Sequence, residues 1–123
     1  MVRALRIAVL TMLVAAGAAA AAGPARADTA EGCAYPRVCF YLTYVSFVNS
    51  FPTAAFQDKT SYFQQLGSRS YGSYAVYNTR NDDGARLRFD SGPNECLRPN
   101  SWLVIGSSGR KVNGIQIVDS PNC

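Results

Sequence analysis

The sequence predicts an all-β fold, an antiparallel β-sandwich stapled by disulfides, and three observations carry that expectation. No long segment spaces its apolar residues at the 3.6-residue period of an amphipathic helix. Short β-branched and aromatic runs recur instead, separated by clusters of Gly, Pro, Asn and Ser. Four cysteines accompany them. A domain of roughly 100 residues buries only about 60–70% of the surface its unfolded chain exposes, so covalent links help such a chain hold one structure.

The first element is not part of that fold. Arg3 and Arg6 precede an Ala/Val/Leu-rich stretch at 7–22, and Ala25-Arg26-Ala27 has the small-x-small pattern of a cleavage site. Residues 1–27 are therefore read as a signal peptide, Asp28 as the first mature residue, and 28–123 as a single domain that is secreted and extracellular. A membrane anchor is disfavoured, because an alanine-dominated run ending in Gly23-Pro24 falls short of the ~20 strongly apolar residues of a span. Next come Cys33 and Cys39 around AYPRV. Pro36 turns the chain back between them, which favours Cys33–Cys39 among the possible pairings and leaves Cys96 for Cys123. In the chain-entropy picture these loops, of about 7 and 28 residues, contribute about 2.4 and 3.6 kcal/mol. A zinc site is disfavoured, since there is no histidine and no C-x-x-C spacing.

VCFYLTY at 38–44 reads as the first strand. FVNSFPTAAF at 47–56 reads as a short helical turn or an irregular crossover, and Pro52 argues against a central strand there. SYFQQ at 61–65, SYAVY at 73–77, ARLRF at 85–89, WLVI at 102–105 and IQIV at 115–118 supply the remaining runs. Within 85–89 a period of two puts Leu87 on one face and Arg86 and Arg88 on the other, a half-buried strand. NDDG at 81–84, flanked by alternating runs, reads as a hairpin connection. Aligned, the runs suggest a twofold repeat. Cys39-Phe40-Tyr41 and Ala75-Val76-Tyr77 open the halves, FQDKTS at 56–61 and SGRKVN at 108–113 lead into their last strands, and two four-strand units make paired Greek keys.

Tyr77, six residues and Gly84, together with FQDKTSYF at 56–63, carry a resemblance. On these segments the chain resembles the βγ-crystallin superfamily, whose Greek-key signature is an aromatic, six residues and a glycine, and whose second segment reads Phe-Asn/Asp-Asp-x-x-Ser-Ser. Gln57 and Tyr62 depart from that second segment, and Val48 stands where the first half would carry its glycine. The leader and CAYPRVCFY at 33–41 are similar to the secreted actinomycete metalloproteinase-inhibitor family. The resemblance implies a βγ-crystallin-like sandwich in which Gly84 takes a positive φ in a folded hairpin. It implies one calcium ion as the single candidate cofactor, held by Asp58 and Ser61 with Asp82 and Asp83. A reciprocal site pairing Arg110 and Asn113 with residues 42–49 would contain no acid and bind nothing. The alternative use of the same residues is structural, Asp82-Asp83-Gly84 as a turn and Asp58 as a loop cap.

Charge and composition narrow the function. Three of the twelve basic residues lie in the leader, which leaves nine against eight acidic in the mature chain, scattered rather than clustered. Nothing there points to nucleic acid or, once the leader is gone, to a membrane. The absence of histidine removes every His-based triad, and neighbouring acids on a strand point to opposite faces, so the chain reads as a binding protein and not an enzyme. Seven tyrosines and Trp102 match the make-up of contact surfaces. GSRSYG at 67–72 and DSGPNECLRPN at 90–100 read as exposed loops, the second stiffened by Cys96, with Leu97 and Arg98 as the protein-binding residues and Leu97 as the side chain for a peptidase pocket. The expected protein is a monomer of the peptidase-inhibitor type, with a secreted peptidase as partner. The alternative is a calcium-binding or purely structural extracellular module.

Overall fold

A computed structural model describes residues 29–123, so the expected signal peptide at 1–27 and the expected mature start at Asp28 lie outside the described residues. Eight strands and one short helix follow in order: β1 Val38–Tyr41, α1 Tyr44–Val48, β2 Ala54–Phe56, β3 Gln64–Gln65, β4 Ala75–Asn78, β5 Ala85–Phe89, β6 Glu95–Leu97, β7 Ser101–Val104 and β8 Val112–Ile117. They form two four-stranded antiparallel sheets, sheet I in the order β2-β1-β4-β7 and sheet II in the order β3-β8-β5-β6. The order repeats. Advancing every strand of sheet I by four places in the chain gives sheet II read backwards, with β7 completing the first sheet and β3 the second.

One apolar core joins the sheets. Val38, Phe40 and Val76 face it from sheet I, and Ala85, Leu87, Phe89, Leu97, Ile115 and Ile117 from sheet II, all buried. The period-two reading of residues 85–89 holds: Ala85, Leu87 and Phe89 point in, Arg86 and Arg88 out. Strand β1 is buried along its whole length, because its other face is covered too. Cys39 and Tyr41 lie with Cys33 and Ala75 in a second small cluster beneath Phe47, Tyr74 and Tyr77. Burial pushes the Tyr41 phenol well above its ordinary pKa, helped by the Glu31 charge, and its hydroxyl donates to the Glu31 carbonyl at 2.6 Å.

Both disulfides join the cysteines that the spacing favoured, Cys33 to Cys39 and Cys96 to Cys123, and no free thiol remains among the described residues. Such bonds persist in oxidising compartments. Among the described residues no helix is long and apolar enough to cross a membrane.

Three expectations are corrected. Residues 77–85 are not a hairpin: β4 pairs with β1 and β7, β5 with β6 and β8, so NDDG crosses from one sheet to the other. The repeat frame moves with it. Ala75-Val76-Tyr77 closes the first half rather than opening the second, and FQDKTS leads into β3, the third strand, rather than the last. Gly84 is needed for a reason other than a positive φ, which it does not have. A Cβ there would sit 2.8 Å from the Cys123 Sγ and 3.0 Å from the Ser120 carbonyl, so the glycine lets the crossing strand lie against the terminal disulfide.

Candidate functional site

The crossing segment is held by side chains that the chain brings from far apart. Buried Asn78 donates from its amide to the carbonyls of Asp83 at 2.9 Å and Leu97 at 3.1 Å, and accepts from the Arg80 amide at 3.0 Å. The Arg80 guanidinium reaches Asp83 at 2.7 Å and donates to the carbonyls of Pro36 and Gln57. Lys59 Nζ stands 3.3 Å from Asp83 and 2.9 Å from Asp119. Burial alone would raise the Asp83 carboxyl, but the hydrogen bonds and charges of Arg80 and Lys59 outweigh it and hold it below the usual carboxylate range.

The structure therefore does bring the FQDKTS and NDDG segments together, through Lys59 and Arg80 rather than through a ring of oxygens. Asp83 is buried and spends both carboxylate oxygens on cations. Asp58, Ser61 and Asp82 are exposed, and Asp58 engages Gln64 through its main-chain carbonyl. Among the described residues no group of three or more His, Cys, Asp or Glu is placed to hold a metal ion. Arg110 and Asn113 are not near 42–49 as the reciprocal site required. Arg110 lies 3.9 Å over the Phe89 ring and donates to the carbonyls of Ser91 and Pro93, while Asn113 accepts from Arg88.

The stretch at 90–100 is not one loop. It contains β6, and Leu97 sits in the core at 4% exposure, its carbonyl taken by Asn78, so it is not available to a peptidase pocket. Arg98 is exposed on the turn that follows. The exposed part, residues 90–94, is stiffened by Arg110 and by a paired Asp90–Lys111 contact, the Asp90 amide to the Lys111 carbonyl and the Lys111 amide to Asp90 Oδ1, both 2.9 Å.

A surface that the sequence did not single out lies on the far side of sheet I. Thr43 and Ser46 cap each other's backbone amides at 3.1 Å and start α1, the only helix among the described residues. That helix, with the segment after it, connects β1 to β2, and Val48 is its last residue. It has no buried residue and no charge. Tyr44 and Val45 are 60% and 62% exposed, with Val48 and Phe51 also in the open. Phe47 packs on Tyr41, on Tyr74 and on Trp102, with ring centroids 5.3–5.8 Å apart. Tyr44 meets Tyr74 edge-on at 5.4 Å. Gly106 admits the Tyr74 ring, since a Cβ there would lie 2.1 Å from it.

The result is a continuous aromatic surface running from α1 to β7, ending at exposed Trp102 and Val104. Trp102 borders two open grooves. One, of about 200 Å³, is lined by Ala30, Glu31, Tyr77 and Asn100, and the other, of about 250 Å³, by residues of β6 and β7. No charged residue occurs in 42–56 or 99–109, the two segments that build this face. The capping residues at 43 and 46 and the two neutral stretches were the available sequence signals. No family model, curated protein or solved structure matches this chain.

Proposed function

We propose that this chain is a secreted protein-binding module of the peptidase-inhibitor type, built as a βγ-crystallin-like pair of Greek keys, and that it engages its partner through the aromatic face of α1 and β7. The observation that carries the reading is that face: exposed Tyr44 and Trp102 joined through Tyr74 and Phe47, with Val45, Val48 and Phe51 also exposed in the uncharged stretch 42–56. Contiguous exposed apolar surface rimmed by polar residues marks interaction sites, and Tyr and Trp are the side chains that dominate them. Disulfides at both ends of the fold restrict the motion that docking would otherwise have to freeze. The strand order supports the Greek-key part. In each half the fourth strand lies beside the first, and the third has moved to the other sheet.

The test is a panel of secreted metallo- and serine peptidases, with residual activity measured after incubation with the protein. Inhibition of one member, weakened about 30-fold or more by Val45→Asp with an unchanged melting temperature, is expected for a charge placed in the middle of a docking face. No inhibition across the panel removes the inhibitor reading. The rival, a calcium-stabilised module, has in its favour only that Lys59 and Arg80 draw the Asp58 segment to the Asp82–Asp83 segment. Isothermal titration separates the two. A flat calcium titration is expected, and a single site abolished by Asp58→Ala would favour the rival.

A further inference from the structure

Each sheet ends in two strands with a free edge, and three of the four are blunted. Strand β3 has two residues, β6 carries Glu95 and is tied by its cysteine to Cys123, and β2 is three residues long, follows Pro52 and exposes only Ala55. Short length, charge, proline and cover are the devices by which proteins keep edges from pairing. Strand β7 has none of them. It is four residues long, uncharged, and presents Trp102 and Val104 at 54% and 45% exposure.

The pairing with β4 fixes which peptide groups that edge offers. Ile105 donates to the Tyr74 carbonyl, and the register runs Leu103 to Val76 and Ser101 to Asn78, so residues 101, 103 and 105 turn their amides and carbonyls toward β4. Those of Trp102 and Val104 turn the other way, and among the described residues no hydrogen bond to them is made. An edge of this kind accepts one thing, another extended strand.

We infer that the strand it accepts is β7 of a second copy, forming an antiparallel twofold dimer with one eight-stranded sheet. The same strand is its own best complement. With Trp102 opposite Val104 of the second copy, and the reverse, both free peptide groups on each side are used, giving four hydrogen bonds about the symmetry axis. That register sets an indole against an aliphatic side chain twice on the outer face, a favourable cross-strand pair. It also sets no like charges together. The uncharged run extends from Pro99 to Gly109, and Arg98 and Arg110 fall opposite Ser108 and Cys96 of the second copy. The sequence pointed to a monomer because composition carries no information about which strand is left at an edge. This inference does not depend on what the α1 face binds.

The experiment is sedimentation equilibrium on the full chain produced in a secreting host, between micromolar and millimolar concentration. A dimer at the upper end is expected, reduced to monomer by Val104→Pro, which deletes an amide on the free edge and none in the β4 ladder, and equally by Val104→Lys. Val104→Thr, which keeps the amide, is expected to stay dimeric. All three should melt as cooperatively as the parent, and Val104→Lys decides the matter should the proline variant unfold. A parent chain that is monomeric at 1 mM overturns the inference, as does a dimer that survives in folded Val104→Lys.

Discussion

On the outer face of sheet II, Arg86 donates to Gln116 at 3.2 Å and to the carbonyl of Cys123 at 2.8 Å, and Arg88 donates to Asn113 at 2.7 Å while lying 5.0 Å over the Phe63 ring. On the outer face of sheet I the comparable positions of β4 and β7 carry Tyr77, Trp102 and Val104. Both faces come from strands that alternate in the same way, yet one satisfies itself and the other does not. Gly114 is part of the first arrangement, because a Cβ there would lie 2.8 Å from the Arg88 guanidinium. The difference teaches how to read charge on a β protein. Arg86 and Arg88, which a sequence scan reads as an outward basic face, are occupied within the molecule, whereas the uncharged side chains Trp102 and Val104 stay exposed.

The largest expected effect contrasts the disulfides behind the two faces. Cys96 and Cys123 close a long loop on the outside of sheet II, Cys33 and Cys39 a short one beneath sheet I. Replacing the first pair by serine should cost about 3.6 kcal/mol and the second about 2.4 kcal/mol, read from urea midpoints. Equal losses would mean the two sides are not closed as unequally as the loops imply. A middle-sized effect should appear at the seam. Asp83 is held below the ordinary carboxylate range in the folded chain, so its contribution is complete above about pH 4 and is lost as pH falls through its folded value. Asp83→Asn should cost about 2 kcal/mol at neutral pH and flatten the acid limb of the melting profile. The smallest effects divide the faces directly. Arg88→Ala should cost about 1–2 kcal/mol of stability through its lost hydrogen bond and ring contact. Trp102→Ala should cost less than about 1 kcal/mol, since more than half of its surface is already in water. The reverse order in thermal melts would break the comparison.

Much of the fold was legible and its wiring was not. Alternation at 85–89 gave the inward and outward sides of β5 directly, and Pro36 between close cysteines gave the first disulfide. The turn chemistry of NDDG was also real, but Asn, Asp and Gly mark a reversal within one sheet and a crossing between two in the same way. Which occurs depends on β1, β7 and β8, dozens of residues away. Leu97 was lost among Gly, Pro and Asn that suggested a loop, although exposed Cys96, buried Leu97 and exposed Arg98 carry a period of two. The role of Asp83 was hidden for the reason the topology was. Lys59 and Arg80 are its partners, and one of them is 24 positions away in the chain.

The exchange of β3 and β7 between the sheets has a kinetic consequence. Sheet I lacks its outer strand until residues 101–104 arrive, and β3 has nothing to pair with until residues 114–115 do. A chain appearing amino end first therefore cannot complete its first half and then add the second, as tandem domains do. Most of its strand pairing joins residues distant in sequence, a topology that folds in milliseconds to seconds rather than microseconds. Structure is then acquired late and at once, after β8 has appeared, and a stop before β7 leaves both sheets unfinished instead of one domain intact.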